Sequence, residues 1–399
     1  MVSPVFHDFS ANKSQNRDMD PQALLWKKAA ALGSLWASAE IILGSFLHNV
    51  HMPLGGHLLT ALGIMLLIGG RRLWPEPGLL WRASLVCAAM KSISPSAFII
   101  GPMIAISIEG FLLEAALRLL GPGAAGCLTG GALAMVWTFL QPFLRQLLFY
   151  GPEAALLYES GWRKIADWWG WADTSLWAPA SLLLAANAAL GAAAAAAGIA
   201  IAGGKRTTPS LFPSSEPTGI STASPPSASH PPLSNRSSVF LIFHAGLVIL
   251  AIVATRKLPL PWLLLLTGLY AGWGLARRAP VFQRLRRPGL WAGLLGTAVL
   301  AGLILGRPLL GLRMGLRALI LTVGFACVSE ELRHSALVEL LERHGGALFA
   351  DTVRRAFKTF PALLSSLPPG REIVRQPLSS LRRMLDQAPA LLDALDRAA

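Results

Sequence analysis

With 399 residues of which 53% are hydrophobic and 14% charged, the chain is too apolar and too poor in charge for a water-soluble protein of its length. Its formal charge of +14 does not mark a nucleic-acid surface, because residues 205–329 carry thirteen Lys and Arg against one acid and spread them over short loops. What remains is a polytopic membrane protein, with anionic lipid as the default partner of its basic loops and no nucleic acid.

In chain order, an N-terminal segment (1–23) precedes six apolar stretches at 24–47, 53–70, 79–94, 96–120, 124–150 and 175–203. A bilayer core needs about 20 largely apolar residues per helix, so each reads as a span; the third is short and includes Lys91. A polar stretch follows at 205–238, with ten Ser, seven Pro and four Thr, which has too little apolar surface to fold and reads as a disordered linker. Four further spans are expected at 239–254, 258–276, 289–306 and 309–329. Residues 330–399, with nine acids and ten bases, cannot span and read as an amphipathic helical tail. Leu337, Leu340 and Leu341, then Val353, Phe357 and Phe360, supply its apolar faces. The fold class is therefore all-α, with about ten transmembrane helices arranged as six plus four.

Charge placement orients the spans. The loop "ARRAPVFQRLRRPG", with Arg277, Arg278, Arg284, Arg286 and Arg287, is expected in the cytoplasm. Counting back places Lys27, Lys28, Arg71, Arg72, Arg118, Lys205 and Arg206 on the same side, together with the N-terminus and the tail. The "ASA" at Ala37–Ala39 imitates a signal-peptidase site, but the apolar run resumes directly after it, so the first span is read as retained. Cys87, Cys127 and Cys327 lie in apolar stretches without metal spacing and read as packing residues. "GIAIAGGKR" (198–206) is not a phosphate loop: an extra glycine displaces Lys205, and Arg206 stands where Ser or Thr must hold magnesium. No catalytic motif and no metal set is read from the chain.

Ionisable residues inside spans are costly and point to function by default. Glu114 lies one turn before Arg118 and pairs with it along one helix face; Glu109 has no such partner. The other polar residues collect toward the outer half of the first block: Glu40, His48, Asn49, His51, His57, Lys91, Gln141, Arg145 and Asn187. Glu40 and Arg145, near the outer ends of spans one and five, are expected to face one pocket with opposite charges. The histidines alone suit cobalt or nickel, but no cysteine or carboxylate joins them at ligand spacing. The tryptophans of "GWRKIADWWGWADTSLW" read as an interfacial belt before a ligand lid.

The stretch "LRMGLRALILTVGFACVSEELRHSALVELLERHG", followed by "TVRRAFKTFPALLSSLP", resembles the last apolar helix and first coupling helices of the T component of energy-coupling factor (ECF) transporters. By span count, topology and small-residue spacing, residues 24–204 resemble the S component of the same transporters. The resemblance implies a fused pair of units that usually are separate chains, a micronutrient ligand such as a vitamin bound on the outer side, and uptake driven by separate ABC-type ATPase subunits. ATP would be consumed by those partners, and this chain would bind no cofactor. It further implies a bacterial cytoplasmic (inner) membrane and an S unit that topples during transport. Ala29, Gly33 and Ala37, four residues apart, resemble the small-residue surface by which S components dock on T components. Arg333, Arg354, Arg355 and Arg371 take the place of coupling arginines, although the family's arginine-centred motif has no clean copy and residues 371–399 are not an apolar closing helix. A membrane enzyme acting on a lipid-linked substrate and a non-transporting scaffold are the alternatives.

Overall fold

A computed structural model describes residues 20–52, 54–91, 100–171, 173–203, 235–277, 285, 288–333 and 346–397, and every regular element among them is a helix. The first block holds α1 (Pro21–Asn49), α2 (Gly55–Leu73), α3 (Leu79–Met90), α4 (Ile100–Leu120), α5 (Ala124–Tyr150), α6 (Glu153–Trp168) and α7 (Trp177–Gly203). Six of them are helices over the six expected apolar stretches, with limits within a few residues; α3 stops at Met90, four residues short of the expected end. The linker at 205–238 falls outside the described residues up to 234, and α8 (Asn235–Lys257) begins inside its expected C-terminal end.

Local chemistry sets the helix ends. Asp20 caps α1, its Oδ1 accepting from the Gln22 N–H at 3.0 Å, and Pro21 takes the first-turn position where a missing N–H costs nothing. At the start of α3, Gly78 takes the left-handed conformation (φ +86°), and the first-turn donors are satisfied from another helix: Glu114 of α4 accepts from the Gly78 N–H at 2.5 Å and the Leu80 N–H at 3.2 Å. A carboxylate at a helix N-terminus also opposes the positive end of the helix dipole. Arg118 Nε reaches the same carboxylate at 3.3 Å, so the expected Glu114–Arg118 pair is present and has a second duty as a cap.

Six of these helices close into a ring in the order α1, α3, α4, α5, α7, α2, with α2 also touching α5 across the middle. Close approach needs small residues, because lipid supplies no hydrophobic drive between helices. Gly131 of α5 and Gly191 of α7 face each other; a Cβ on Gly131 would sit 2.5 Å from the Gly191 carbonyl oxygen. Gly33 of α1 plays the same part against α3, where an added Cβ would lie 2.5 Å from the Ala83 carbonyl oxygen and 2.8 Å from Val86 Cβ. Gly33, expected on a surface between the two halves, therefore packs inside the first block. Its helix mates Ala29 and Ala37 are fully buried in the same core.

The second block comprises α8, α9 (Leu260–Arg277), α10 (Pro288–Ile304) and α11 (Pro308–Arg333), and α11 packs on each of the other three. It joins the first block at the C-terminal end of α5. There Arg317 Nε donates to the Leu148 carbonyl at 3.0 Å, the Tyr150 hydroxyl donates to the Leu294 carbonyl at 3.1 Å, and Phe149 stacks on Phe325.

The tail forms α12 (Ala347–Ser366), α13 (Gly370–Arg375) and α14 (Pro377–Arg397). Leu337, Leu340 and Leu341 lie outside the described residues. Ala350, Val353, Ala356, Phe360 and Leu363 of α12, and Leu381, Met384, Leu385, Ala388, Leu391 and Leu395 of α14, recur at helical spacing, and all are buried in one core with α1 and its neighbours. The hairpin lies along α1. Trp26 packs on Phe349 and Lys27 pairs with Asp396 near one end of α1; near the other, Gly370 sits against Phe46, where a Cβ would be 2.7 Å from Phe46 Cβ.

Among the described residues, four helices are long and apolar enough to cross a membrane: Pro21–Asn49, Ala124–Tyr150, Trp177–Gly203 and the Pro308–Ser329 part of α11. Shorter apolar helices occupy Leu79–Met90, Leu241–Thr255, Leu260–Trp273 and Pro288–Ile304. The protein is thus an all-helical membrane protein.

Candidate functional site

The ring brings polar side chains from five helices toward its centre. Glu109, nine residues into α4, is 5% exposed; its Oε1 accepts from Thr60 Oγ1 of α2 at 3.1 Å and Thr138 Oγ1 of α5 at 3.2 Å. The two hydroxyls are 3.0 Å apart, so α2, α4 and α5 meet in a triangle of oxygens. Glu40 of α1 pairs with Lys91 at the end of α3, Nζ to Oε2 at 2.7 Å, close enough to Glu109 for the two carboxylates to interact electrostatically. Pro142 lies inside α5, and a proline has no N–H to give the carbonyl four residues earlier, which is that of Thr138. Thr138 thus offers a hydroxyl and a carbonyl without its helical donor. The indole of Trp36, one turn before Glu40, is fully buried across Gly63, one turn after Thr60, and its N–H has no acceptor.

Of the residues expected here, the structure joins Glu40, Lys91 and Glu109. It separates the rest. The expected Glu40–Arg145 pocket is corrected: Lys91 takes Glu40, and Arg145 is exposed on α5. The reason is reach, because α1 borders α3 in the ring, whereas α5 stands opposite α1, three helices along in either direction. His48, Asn49 and His51 are exposed at the end of α1, with the two imidazoles stacked at 6.3 Å, and His57 is half-buried at the start of α2. Among the described residues no three His, Cys, Asp or Glu side chains form a metal-holding group. Gln141 is half-buried in α5. Asn187 turns its amide back to the Leu183 carbonyl of its own helix at 2.8 Å.

Thr60, Thr138, Pro142 and Trp36 were not legible as site residues. Threonine is common in apolar helices and carries no charge signal; of the four, only Pro142 leaves a local mark, as a proline inside a helical stretch.

The tail arginines fall into different places. Arg354 and Arg371 are exposed, Arg355 pairs with Asp351 at 2.7 Å, and Arg333 ends α11, its side chain outside the described residues. Between the tail and α1 lies a cleft of about 280 Å³ bordered by Trp26, Lys27, Ala30, Asp351 and Arg355. The tryptophan-rich segment starts inside α6: Trp162 and Trp168 lie on that helix, Trp169 and Trp171 follow it, and Trp177 opens α7. Trp168, Trp169, Trp171 and Trp177 are exposed, while Tyr158 donates to Gln146 of α5. Burial holds the Tyr158 phenol above its ordinary range and keeps it a donor.

No family model, curated protein or solved structure matches the chain.

The second block has a buried polar group of its own. His244 of α8 and Tyr270 of α9 share a hydrogen bond, Nδ1 to hydroxyl at 3.0 Å, with Trp273 packed on both. This hydrogen bond ties two helices of the block together, which is a packing role.

Proposed function

We propose that this chain is the membrane subunit of an ECF-type importer, an S-like unit of six spans and a T-like unit of four spans fused in one polypeptide, taking up a small polar organic micronutrient with energy from separate ABC-type ATPases. It resides in the bacterial inner membrane, with its N-terminus and tail in the cytoplasm. The observation that carries this reading is the seat of the tail hairpin on α1. From Lys27 to Phe46, α1 rises about 29 Å, close to the full thickness of a hydrocarbon core. The hairpin follows that length while exposing Arg354, Lys358, Arg371, Arg375 and Arg383 on its other face. Each such charge would cost about 3 kcal/mol or more in lipid, so the hairpin belongs in water. A water-exposed hairpin follows α1 over this length only where α1 runs along the membrane surface instead of across it. That is the toppled state which the resemblance implies for an S unit held by its T unit.

Two measurements test the reading. Arg375→Cys, near the turn of the hairpin, is expected to react with a membrane-impermeant maleimide in inverted vesicles and not in intact cells; labelling from outside would place the hairpin across the membrane and overturn the toppled arrangement. The tagged chain, isolated from its native membrane, is expected to bring ABC-type ATPase subunits with it and, with them, to support ATP-dependent uptake in proteoliposomes. Isolation without any ATPase would leave the scaffold reading standing in its place.

A further inference from the structure

We propose that the triangle of Glu109, Thr60 and Thr138 is the seat for an ammonium group, and hence that the imported molecule is a compact organic cation. The proposal rests on the importer reading for its transport role, but not for the binding itself. The centre of the ring holds the Glu109 carboxylate and two hydroxyls, and beside them on α5 the Thr138 carbonyl lacks its helical donor because of Pro142. Against these stand two hydroxyl hydrogens, one of which is also within reach of the Ala134 carbonyl at 3.2 Å. Glu109 forms no ion pair with any described residue. The nearest cation, Lys91, is engaged with Glu40. Glu40 and Lys91 offset each other, which leaves Glu109 as a buried carboxyl group without a cationic partner among the described residues, in a place where an unpaired charge is costly.

An ammonium group removes both deficits at once. Its positive charge matches the carboxylate, and its three N–H donors can serve lone pairs that the two hydroxyl hydrogens leave over. Bare divalent metal ions lack the ligands here, since no three His, Cys, Asp or Glu side chains gather among the described residues. The same oxygens are hard enough for an alkali ion, so the test must tell the two apart. The free N–H of Trp36, close to Thr60 along α1 and α2, provides a donor for an acceptor elsewhere on the same molecule.

The experiment is thermal unfolding of the purified full-length chain in detergent, without ATPases, at equal ionic strength, with ethylammonium chloride, sodium chloride and N-methylglucamine chloride as the arms and ethanol as the neutral twin of ethylammonium. Ethylammonium is expected to raise the Tm of the wild type above all other arms. Glu109→Gln, which keeps the size and hydrogen-bonding reach of the side chain, is expected to weaken that response about tenfold or more, the loss that follows when a charged partner becomes neutral. Thr60→Ser, which keeps the hydroxyl, is expected to retain it and so guards against general destabilisation. Equal shifts with sodium would assign the seat to an alkali ion and overturn the proposal. No shift with ethylammonium, or an unchanged shift in Glu109→Gln, would overturn it as well. Because neither ATP nor transport enters the measurement, a failure here leaves the importer reading intact, and absence of ATPases leaves this result intact.

Discussion

Gly33→Leu is expected to break the six-helix ring itself, not to loosen a contact between the two blocks. A Cβ at this position already lies 2.5 Å from the Ala83 carbonyl oxygen and 2.8 Å from Val86 Cβ, and a backbone carbonyl in a packed helix cannot turn aside as a side-chain tip can. The remaining atoms of leucine enter a region where Ala29, Ala30, Leu32 and Leu35 are buried. Overpacking of this kind costs about 3 kcal/mol or more, against a total stability of about 5–15 kcal/mol for a typical domain. The loss should be equal in the full chain and in residues 1–206 expressed alone, as read by the monodisperse fraction in detergent chromatography. If residues 1–206 carrying Gly33→Leu behaved as wild type while the full chain came apart, the α1 face would belong to the junction between blocks after all.

This contrast marks what sequence alone conveys. The small-residue spacing of Ala29, Gly33 and Ala37 was legible, because period four on a helix puts three residues on one stripe whatever surrounds it. The partner of that stripe was not, since the ring order α1, α3, α4, α5, α7, α2 arises from long-range packing that leaves no local mark. Helix limits were legible for the same reason as the stripe: apolar runs, Pro21, Gly78 and Gly151 are local signals. In the centre of the ring, Glu109 stood out as a lone charge in an apolar run, while the threonines that complete its surroundings looked like any others. Glu40 was matched with the wrong cation because depth along the helices can be counted and lateral neighbours cannot. The tail shows the opposite balance. Its amphipathic faces were readable in α12, and the charges of α14 concealed a second face just as regular, Leu381, Met384, Leu385, Ala388, Leu391 and Leu395.

That second face supports the other large expected effect. Met384→Asp is expected to release the tail hairpin from α1 and to abolish ATP-driven uptake, with binding of ethylammonium in the ring preserved. Met384 is fully buried, and its neighbour Leu385 fills the space above Gly69 of α2. An unpaired carboxylate there costs about 3–5 kcal/mol. The chain has a cheaper way to avoid that cost than unfolding the ring, because α14 is near the C-terminus and can swing out into water, leaving detergent or lipid to cover the apolar side of α1. The exposed ion pair between Lys27 and Asp396 is too weak to hold it, since such pairs contribute about 1 kcal/mol or less. Limited proteolysis should then remove α12–α14 quickly from the variant and slowly from the wild type, while the α1–α7 fragment survives in both. A variant tail as resistant as the wild-type tail would show that this face does not hold the hairpin. Loss of ethylammonium binding together with loss of the tail would show instead that the hairpin supports the ring, so that the ring's stability and its coupling to the second block rest on the same contacts.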